Sequence, residues 1–344
     1  MRKVIVATLV LLMLAAAAAI GSRSVIWERL YEPFKGYAGA EQFVIVAPGT
    51  GTAAIGRRLV EAGIVRDELS FRAALWWTGR SRSLQAGEYR FDRPLPAVDV
   101  VERLARGDVY TRRLTFPEGL TIREMAEIFE TQGFGSRTSF LEAAATAALI
   151  RDLDSEATDL EGYLFPETYA LPRGTPAARL VAMMVDRFRV TFGDNLRGRA
   201  AEQNLKTRQV VTLASLVEKE TGQARERPLV AAVYRNRLRI GMALQADPTV
   251  VYALQKAGKY DGNIRRADLM VDSPYNTYRY PGLPPGPIAA PGAASLEAAL
   301  APAAVPYLYF VSRNDGSHAF AETLTQHNRN VREFQILYFR RSSQ

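Results

Sequence analysis

The stretch Gln209 to Leu254, QVVTLASLVEKETGQARERPLVAAVYRNRLRIGMALQADPTVVYAL, decides the reading of this chain. It opens as a nearly all-apolar helix and places two carboxylates, Glu218 and Glu220, at its far end. A charged second helix follows, and the stretch closes on Leu244-Gln245-Ala246-Asp247-Pro248-Thr249. Ionised carboxylates are rarely left against apolar surface without a partner or a task.

Helical geometry constrains the pair. At about 100° per residue, Val210, Leu213, Ala214 and Val217 centre a buried stripe. Glu220 then falls between Leu213 and Leu216 on one flank, and Glu218 between Val211 and Ala214 on the other. The two are about 160° apart around the axis, so they cannot share one cleft. Thr212, Ser215 and Lys219 are expected on the solvated face. One glutamate is the candidate for chemistry and the other for an ion pair with Arg225 or Arg227. The angles do not say which, and a helix end with both glutamates ion-paired remains the ordinary alternative.

The rest of the chain narrows the classes. Its 344 residues suffice for two or three domains with real cores. The net charge of +8 favours anionic partners, but the arginines are scattered without a run of five, against a nucleic-acid groove. With no cysteine, disulfides, thiol catalysis and thiolate metal sites are excluded. Arg2-Lys3 precede an uncharged run from Val4 to Ile20, the length of a short membrane span. An uncleaved anchor with the remainder of the chain outside the cytosol is expected. A signal peptide cleaved near Ala15–Ala19 is the rival.

Along the chain, Gln42–Val46 reads as a strand and the helix after it as capped by Thr52 and ended by Gly63. A helix over Glu68–Trp77 and a strand over Leu84–Phe91 complete a β-α-α-β unit. Gly49-x-Gly51-x-x-Ala54 is too isolated to mark a dinucleotide site. A second strand–turn–helix runs from Arg113 to Phe129, where Thr121 and Glu124 form a capping box. Helices are expected over Ser139–Leu149, Arg179–Phe192 and Ser295–Leu300, with a strand over Tyr307–Ser312. Gly316–Phe320 is read as leading into a C-terminal helix. The segment from Ser273 to Ile288 is too rich in proline for regular structure, and long loops of this kind usually carry function.

Chemistry is reached by elimination. Two histidines and no H-E-x-x-H argue against zinc, so no metal or cofactor is expected. Active-serine and P-loop motifs are also missing. Carboxylate chemistry remains, with glycoside cleavage foremost.

The segments VTLASLVEKET, LQADPTVVYAL, SPYNTY, GLPPGPIAAPG, LEGYLFPETY and YLYFV with His318-x-Phe320 resemble the YceG-like family of endolytic murein transglycosylases. The resemblance covers nearly the whole chain. It implies an α+β fold with an N-terminal transmembrane helix (1–22), a LysM-like β-α-α-β subdomain (41–107) and a larger helix-rich catalytic domain (108–344). Within the last lie a second strand–helix unit (108–135) and a catalytic core (155–340). The family's catalytic glutamate maps onto Glu220. The implied activity is endolytic cleavage of nascent peptidoglycan strands between MurNAc and GlcNAc, leaving 1,6-anhydro-MurNAc ends. The implied place is the cell inner membrane, single-pass, with the catalytic domain on the outer side and a bifunctional penicillin-binding synthase as partner. Gln245, Asp247, Tyr275, Asn276 and Tyr278 are candidate sugar-binding residues, and Glu218 and Glu161 candidate supporting carboxylates. His318 reads as a structural hydrogen-bonder. A hydrolytic muramidase and a non-catalytic glycan-binding scaffold are the alternatives.

Overall fold

The computed structural model describes residues 13, 27–338 and 340. The expected anchor over 1–22 lies outside the described residues apart from Met13. Among the described residues no helix is long and apolar enough to cross a membrane. The fold is mixed α+β, with a helix-rich body and, among the described residues, three two-stranded sheets. The chain divides into two compact units, 1–112 with 170–173, and 113–169 with 174–344.

In the first unit the order is β1 (Gln42–Val46), α1 (Thr52–Glu61), α2 (Glu68–Thr78), β2 (Gly87–Phe91) and α3 (Ala97–Arg106). Strand β1 alternates, burying Val44 and Val46, and pairs antiparallel with β2 from Gln42↔Phe91 to Val46↔Gly87. Those residues join Ile55, Leu59, Phe71, Val101 and Leu104 in one core. Two expectations need correction, and one helix is unexpected. Gly51 occupies the N-cap of α1, and Thr52 is already helical. Strand β2 starts at Gly87 because the Gln85 N–H donates to Leu104 at the end of α3 and not to β1. Helix α3 itself is absent from the sequence reading, although Pro96 before it and Gly107 after it mark both ends.

The second unit begins within β3 (Thr111–Thr115). It continues through α4 (Ile122–Thr131), α5 (Arg137–Ala144), the first two residues of β4 (Thr168–Pro172), whose remainder belongs to the first unit, then α6 (Ala177–Thr191) and α7 (Asp194–Glu202). Then come α8 (Thr207–Glu220), α9 (Arg227–Arg239), α10 (Asp247–Lys256), α11 (Ala293–Leu300), β5 (Tyr309–Ser312), β6 (His318–Ala321) and α12 (Leu324–Val331). The Thr121–Glu124 capping box starts α4. The alanine-rich helix stops at Ala144, and a 3-10 turn over Ala147–Leu149 follows it. Residues His318–Ala321 form a strand, paired antiparallel with β5. Asn314 and Gly316, both at positive φ, turn the chain between the two strands.

Helix α8 is the centre of this unit. Every residue from Val210 to Val217 is buried, including Thr212 and Ser215, which the helical angles put on a solvated face. The proline-rich segment is what seals that face. Arg208 Nε donates to Pro285 O (2.6 Å), Ile288 N to Ser215 Oγ (3.1 Å) and Gly292 N to Glu218 Oε2 (2.9 Å). The strap thus runs alongside α8 in the same direction. Its outer edge exchanges hydrogen bonds with the α4 approach, Gly119 N to Ala290 O and Ala290 N to Leu120 O, both 2.8 Å. Ser215 and Glu218 are thereby partnered within a buried stretch of helix, whereas the buried Thr212 Oγ1 makes no hydrogen bond.

Gly162, in the aromatic segment, fits against this strap. Its φ is +83°, and a Cβ there would stand 2.3 Å from Pro287 Cβ. Gly162→Ala is therefore expected to combine left-handed strain with overpacking, destabilising the protein by roughly 2–4 kcal/mol in urea denaturation.

Candidate active site

Glu220 is the last residue of α8, where the buried helix meets a cavity of about 240 Å³. Arg237, Leu244, Gln245, Asp247, Tyr278, Phe310 and His327 complete the lining. A pocket this size is below the ~300–1,000 Å³ usual for drug-sized ligands and matches one sugar ring.

The Tyr234 hydroxyl donates to Glu220 Oε1 at 2.5 Å. Among the described residues, Oε2 has no protein partner. Burial raises the Glu220 carboxyl to about 7, with Asp247 adding to the rise, while Tyr234 and Arg237 pull the other way. Desolvation wins because one phenol hydrogen bond and a cation occupied elsewhere cannot replace the lost water. Arg237 is occupied: its Nε donates to Leu308 O (2.7 Å) and its Nη1 to Leu244 O (2.6 Å). Burial, with Glu220 beside it, lifts the Tyr234 phenol far above its ordinary value, so it remains a donor. Burial, with Arg237, holds His327 below its ordinary value, which leaves a neutral imidazole in the wall.

Asp247 and Gln245 arrive from the α9–α10 connection. The Tyr278 hydroxyl donates to Asp247 Oδ1 at 2.5 Å. Gln245 has φ +48°, in the left-handed region that non-glycine residues avoid. The surrounding hydrogen bonds impose it. Gln245 N donates to Thr277 O (3.2 Å), Ala246 N to Thr277 Oγ1 (3.0 Å), and the Thr249 and Thr277 hydroxyls meet at 2.9 Å. Strain of this kind costs ~1–3 kcal/mol and persists where surroundings over-determine it.

The two candidate supporting carboxylates are excluded by their partners. Glu218 accepts from Arg227 Nη2 (3.3 Å) and from Gly292 N, on the far side of the helix from the cavity. Glu161 is buried and pushed to about 8, chiefly by burial, but both its oxygens are used, by Ile122 N (3.1 Å) and the Tyr252 hydroxyl (3.3 Å). It faces a different cavity, beside Lys256. A larger cavity of about 850 Å³ lies between Gln209, Leu213, Arg235 and Arg239. Its carboxylate, Glu156, is exposed and held below the ordinary range by its hydrogen bond to Lys206 (2.7 Å). That cavity contains no group able to hold a proton at neutral pH and pass it on.

The YceG-like family model matches residues 44–333. The chain belongs to the YceG-like family. An endolytic murein transglycosylase of Bacillus subtilis (strain 168) is 30% identical over 327 residues, covering 90% of this chain and 89% of that protein. An endolytic murein transglycosylase of Streptococcus pneumoniae (strain D39) is also 30% identical, over 86% of this chain and 59% of its own length. A 2.6 Å crystal structure of a yceG-like protein from Listeria monocytogenes superposes with a TM-score of 0.59 at 29% identity, covering 85% of this chain and 99% of that one.

Within this YceG-like chain, four sequence-derived candidates, Glu220, Gln245, Asp247 and Tyr278, share the cavity. Tyr275 and Asn276 do not line it. Asn276 is fully buried and staples its own loop, donating to Leu269 O (3.0 Å) and Val271 O (2.8 Å) and accepting from Tyr278 N. Tyr275 packs on Tyr252, ring centroids 4.8 Å apart. Arg237, Tyr234, Phe310 and His327 carried no signal in the sequence beyond their residue type. His318 Nδ1 lies 2.8 Å from Glu226 Oε2, and Glu226 also receives the His318 N–H and the Thr221 hydroxyl. This clamp fixes the residue that follows Glu220. Burial opposes ionisation of Glu226, but the His318 hydrogen bonds outweigh it and keep the carboxyl below its ordinary value.

The raised Glu220 value has a signed consequence for stability. Between the ordinary value of 4.5 and about 7 the folded protein holds a proton that the unfolded chain releases, so stability falls as pH rises through that window. Glu220→Gln removes the buried charge and keeps an acceptor for Tyr234. Thermal unfolding of the variant is expected to match the wild type near pH 5 and to exceed it near pH 8.

Proposed function

We propose that this protein cleaves murein glycan as a lytic transglycosylase, with Glu220 as its single acid–base group. The observation that carries the reading is a desolvated carboxyl with one oxygen fixed by Tyr234 and the other open to a pocket for one sugar ring. The names of the Bacillus and Streptococcus relatives support the substrate class.

In this mechanism protonated Glu220 donates to the glycosidic oxygen as the bond from MurNAc C1 breaks. The Asp247 carboxylate, oriented by the Tyr278 hydroxyl, faces the positive charge developing at C1. The C6 hydroxyl of the same sugar attacks C1 and returns its proton to Glu220, leaving a 1,6-anhydro end. No water or protein nucleophile is consumed, so one acid–base residue suffices where hydrolases use two. Gln245 and the neutral His327 supply hydrogen-bonding groups to the ring substituents.

Asp247 is also the observation that favours a second reading. Two carboxylates in one pocket suit hydrolysis by a muramidase. The products separate the two, because a transglycosylase end is lighter than a hydrolysed end by one water. The unit β1-α1-α2-β2 fits a LysM-like module, and the Arg2-Lys3 pair before an uncharged run fits a single-pass anchor with the catalytic unit outside the cytosol. Nascent strands bring a penicillin-binding synthase within reach as partner.

Digestion of uncross-linked nascent glycan followed by mass spectrometry tests the reading. Anhydro-ended fragments are expected from the wild type, and a 10²- to 10⁴-fold lower rate from Glu220→Gln. Undiminished anhydro product from that variant would refute the assignment. Because the protonated form is the active one, kcat/KM is expected to fall about tenfold per pH unit above about 7.

A further inference from the structure

All three tryptophans of this chain lie in the first unit, and all three are exposed. Trp76 is 82% exposed, Trp77 53% and Trp27 58%, whereas tryptophan in soluble proteins is highly buried on average. On α2, Leu69, Arg72 and Trp76 fall on one stripe at i, i+3 and i+7, with Trp77 beside it. Leu69 is also exposed, at 59%. Arg72 and Arg82 are exposed as well, and neither makes an ion pair among the described residues. Three large apolar side chains with Arg72 between them make up one outward helix face, Arg82 follows in the loop after it, and the three apolar side chains stay exposed among the described residues.

The covalent path says what lies opposite. The uncharged run ends at Ile20, seven residues before Trp27. Residues 27–31 are helical and dock directly on the start of α2. Arg29 Nη1 bonds Asp67 Oδ2 at 2.6 Å, and the other oxygen of Asp67 caps α2 by accepting from Ser70 N at 2.7 Å. Leu30 is buried in the core of the unit and locks that segment in place. From Leu69, in the turn that Arg29 grips through Asp67, to Trp76 is two turns, about 10 Å. The exposed stripe therefore begins beside residues 27–31, which follow the uncharged run in sequence.

We infer that the α2 face formed by Leu69, Trp76 and Trp77, with Arg72 and Arg82, rests on the surface of an anionic bilayer. This rests on the reading of the N-terminal run as an anchor. Tryptophan prefers the headgroup level, where its ring meets apolar chains and its N–H meets water. Unpaired arginines at the same level are drawn to anionic headgroups. The first unit then lies against the membrane with a fixed face and is not a module swinging free on its tether.

The tryptophans are also the probe. In a Trp27→Phe background only Trp76 and Trp77 emit. The full-length protein is reconstituted into phosphatidylcholine vesicles with and without phosphatidylglycerol, floated on a gradient, and tested with lipids brominated in the upper acyl chain. The expected result is flotation, with emission quenched at least twofold in anionic vesicles and shielded from aqueous iodide. Arg72→Glu with Arg82→Glu should restore most of the emission while leaving flotation intact. Flotation with unquenched, iodide-accessible emission overturns the inference and leaves the anchor standing. Failure to float overturns both. Emission that responds to added glycan strands and not to brominated lipid makes the face a sugar platform, which also overturns it.

Discussion

Helix α8 is buried from Val210 to Val217, and the strap from Pro285 to Gly292 covers its Arg208–Ser215–Glu218 side. A strap rich in proline has few N–H groups of its own to satisfy, so it can lie on a helix without forming a sheet or a second helix. Three of them, at Ile288, Ala290 and Gly292, are bonded, and they reach both α8 and the approach to α4. Sealing the helix removes water from its sides and leaves its C-terminal end as the one place where a carboxyl meets a cavity. The acid value of Glu220 comes from burial of its own carboxyl at that end, beside Tyr234, Arg237 and Asp247.

Three buried or half-buried glutamates in the same unit show how partners decide outcome. Glu218 meets Arg227 and a backbone N–H and serves as a brace between α8, α9 and the start of α11. Glu161 is desolvated and raised like Glu220, yet both its oxygens are consumed in capping α4 and holding Tyr252. Of these three, Glu220 alone combines a raised value with a free oxygen and a pocket. Burial alone would have chosen Glu161, whose value is higher. The open oxygen and the company of Asp247, Gln245 and Tyr278 are what distinguish the site.

Much of this was legible in the sequence where the signal is local. The period of the α8 stretch, the Thr121 capping box and the alternation of Gln42–Val46 all reflect contacts within a few residues, and the structure reproduces them. The angular separation of Glu218 and Glu220 is a property of one helix and is seen in their partners. Errors arise where a distant segment intervenes. Thr212 and Ser215 read as solvated because the strap that covers Ser215 lies more than seventy residues away. Asn276 reads as a ligand because an amide in a loop looks the same whether it faces sugar or staples its own backbone. Arg237, Phe310 and His327 reach the cavity from separate elements, and no local pattern announces them. Gln245 is visible as a candidate, but its left-handed backbone is imposed by Thr277 and Thr249 across the fold.

Burial at the C-terminal end of α8 raises the Glu220 carboxyl into the neutral range. Carbon-13 NMR of the Glu220 side-chain carboxyl, assigned by comparison with Glu220→Gln, reads that directly across a pH titration. A midpoint near 7 is the predicted result. A midpoint at the ordinary glutamate value near 4.5 would mean that the carboxyl is solvated and ionised, and would contradict the account.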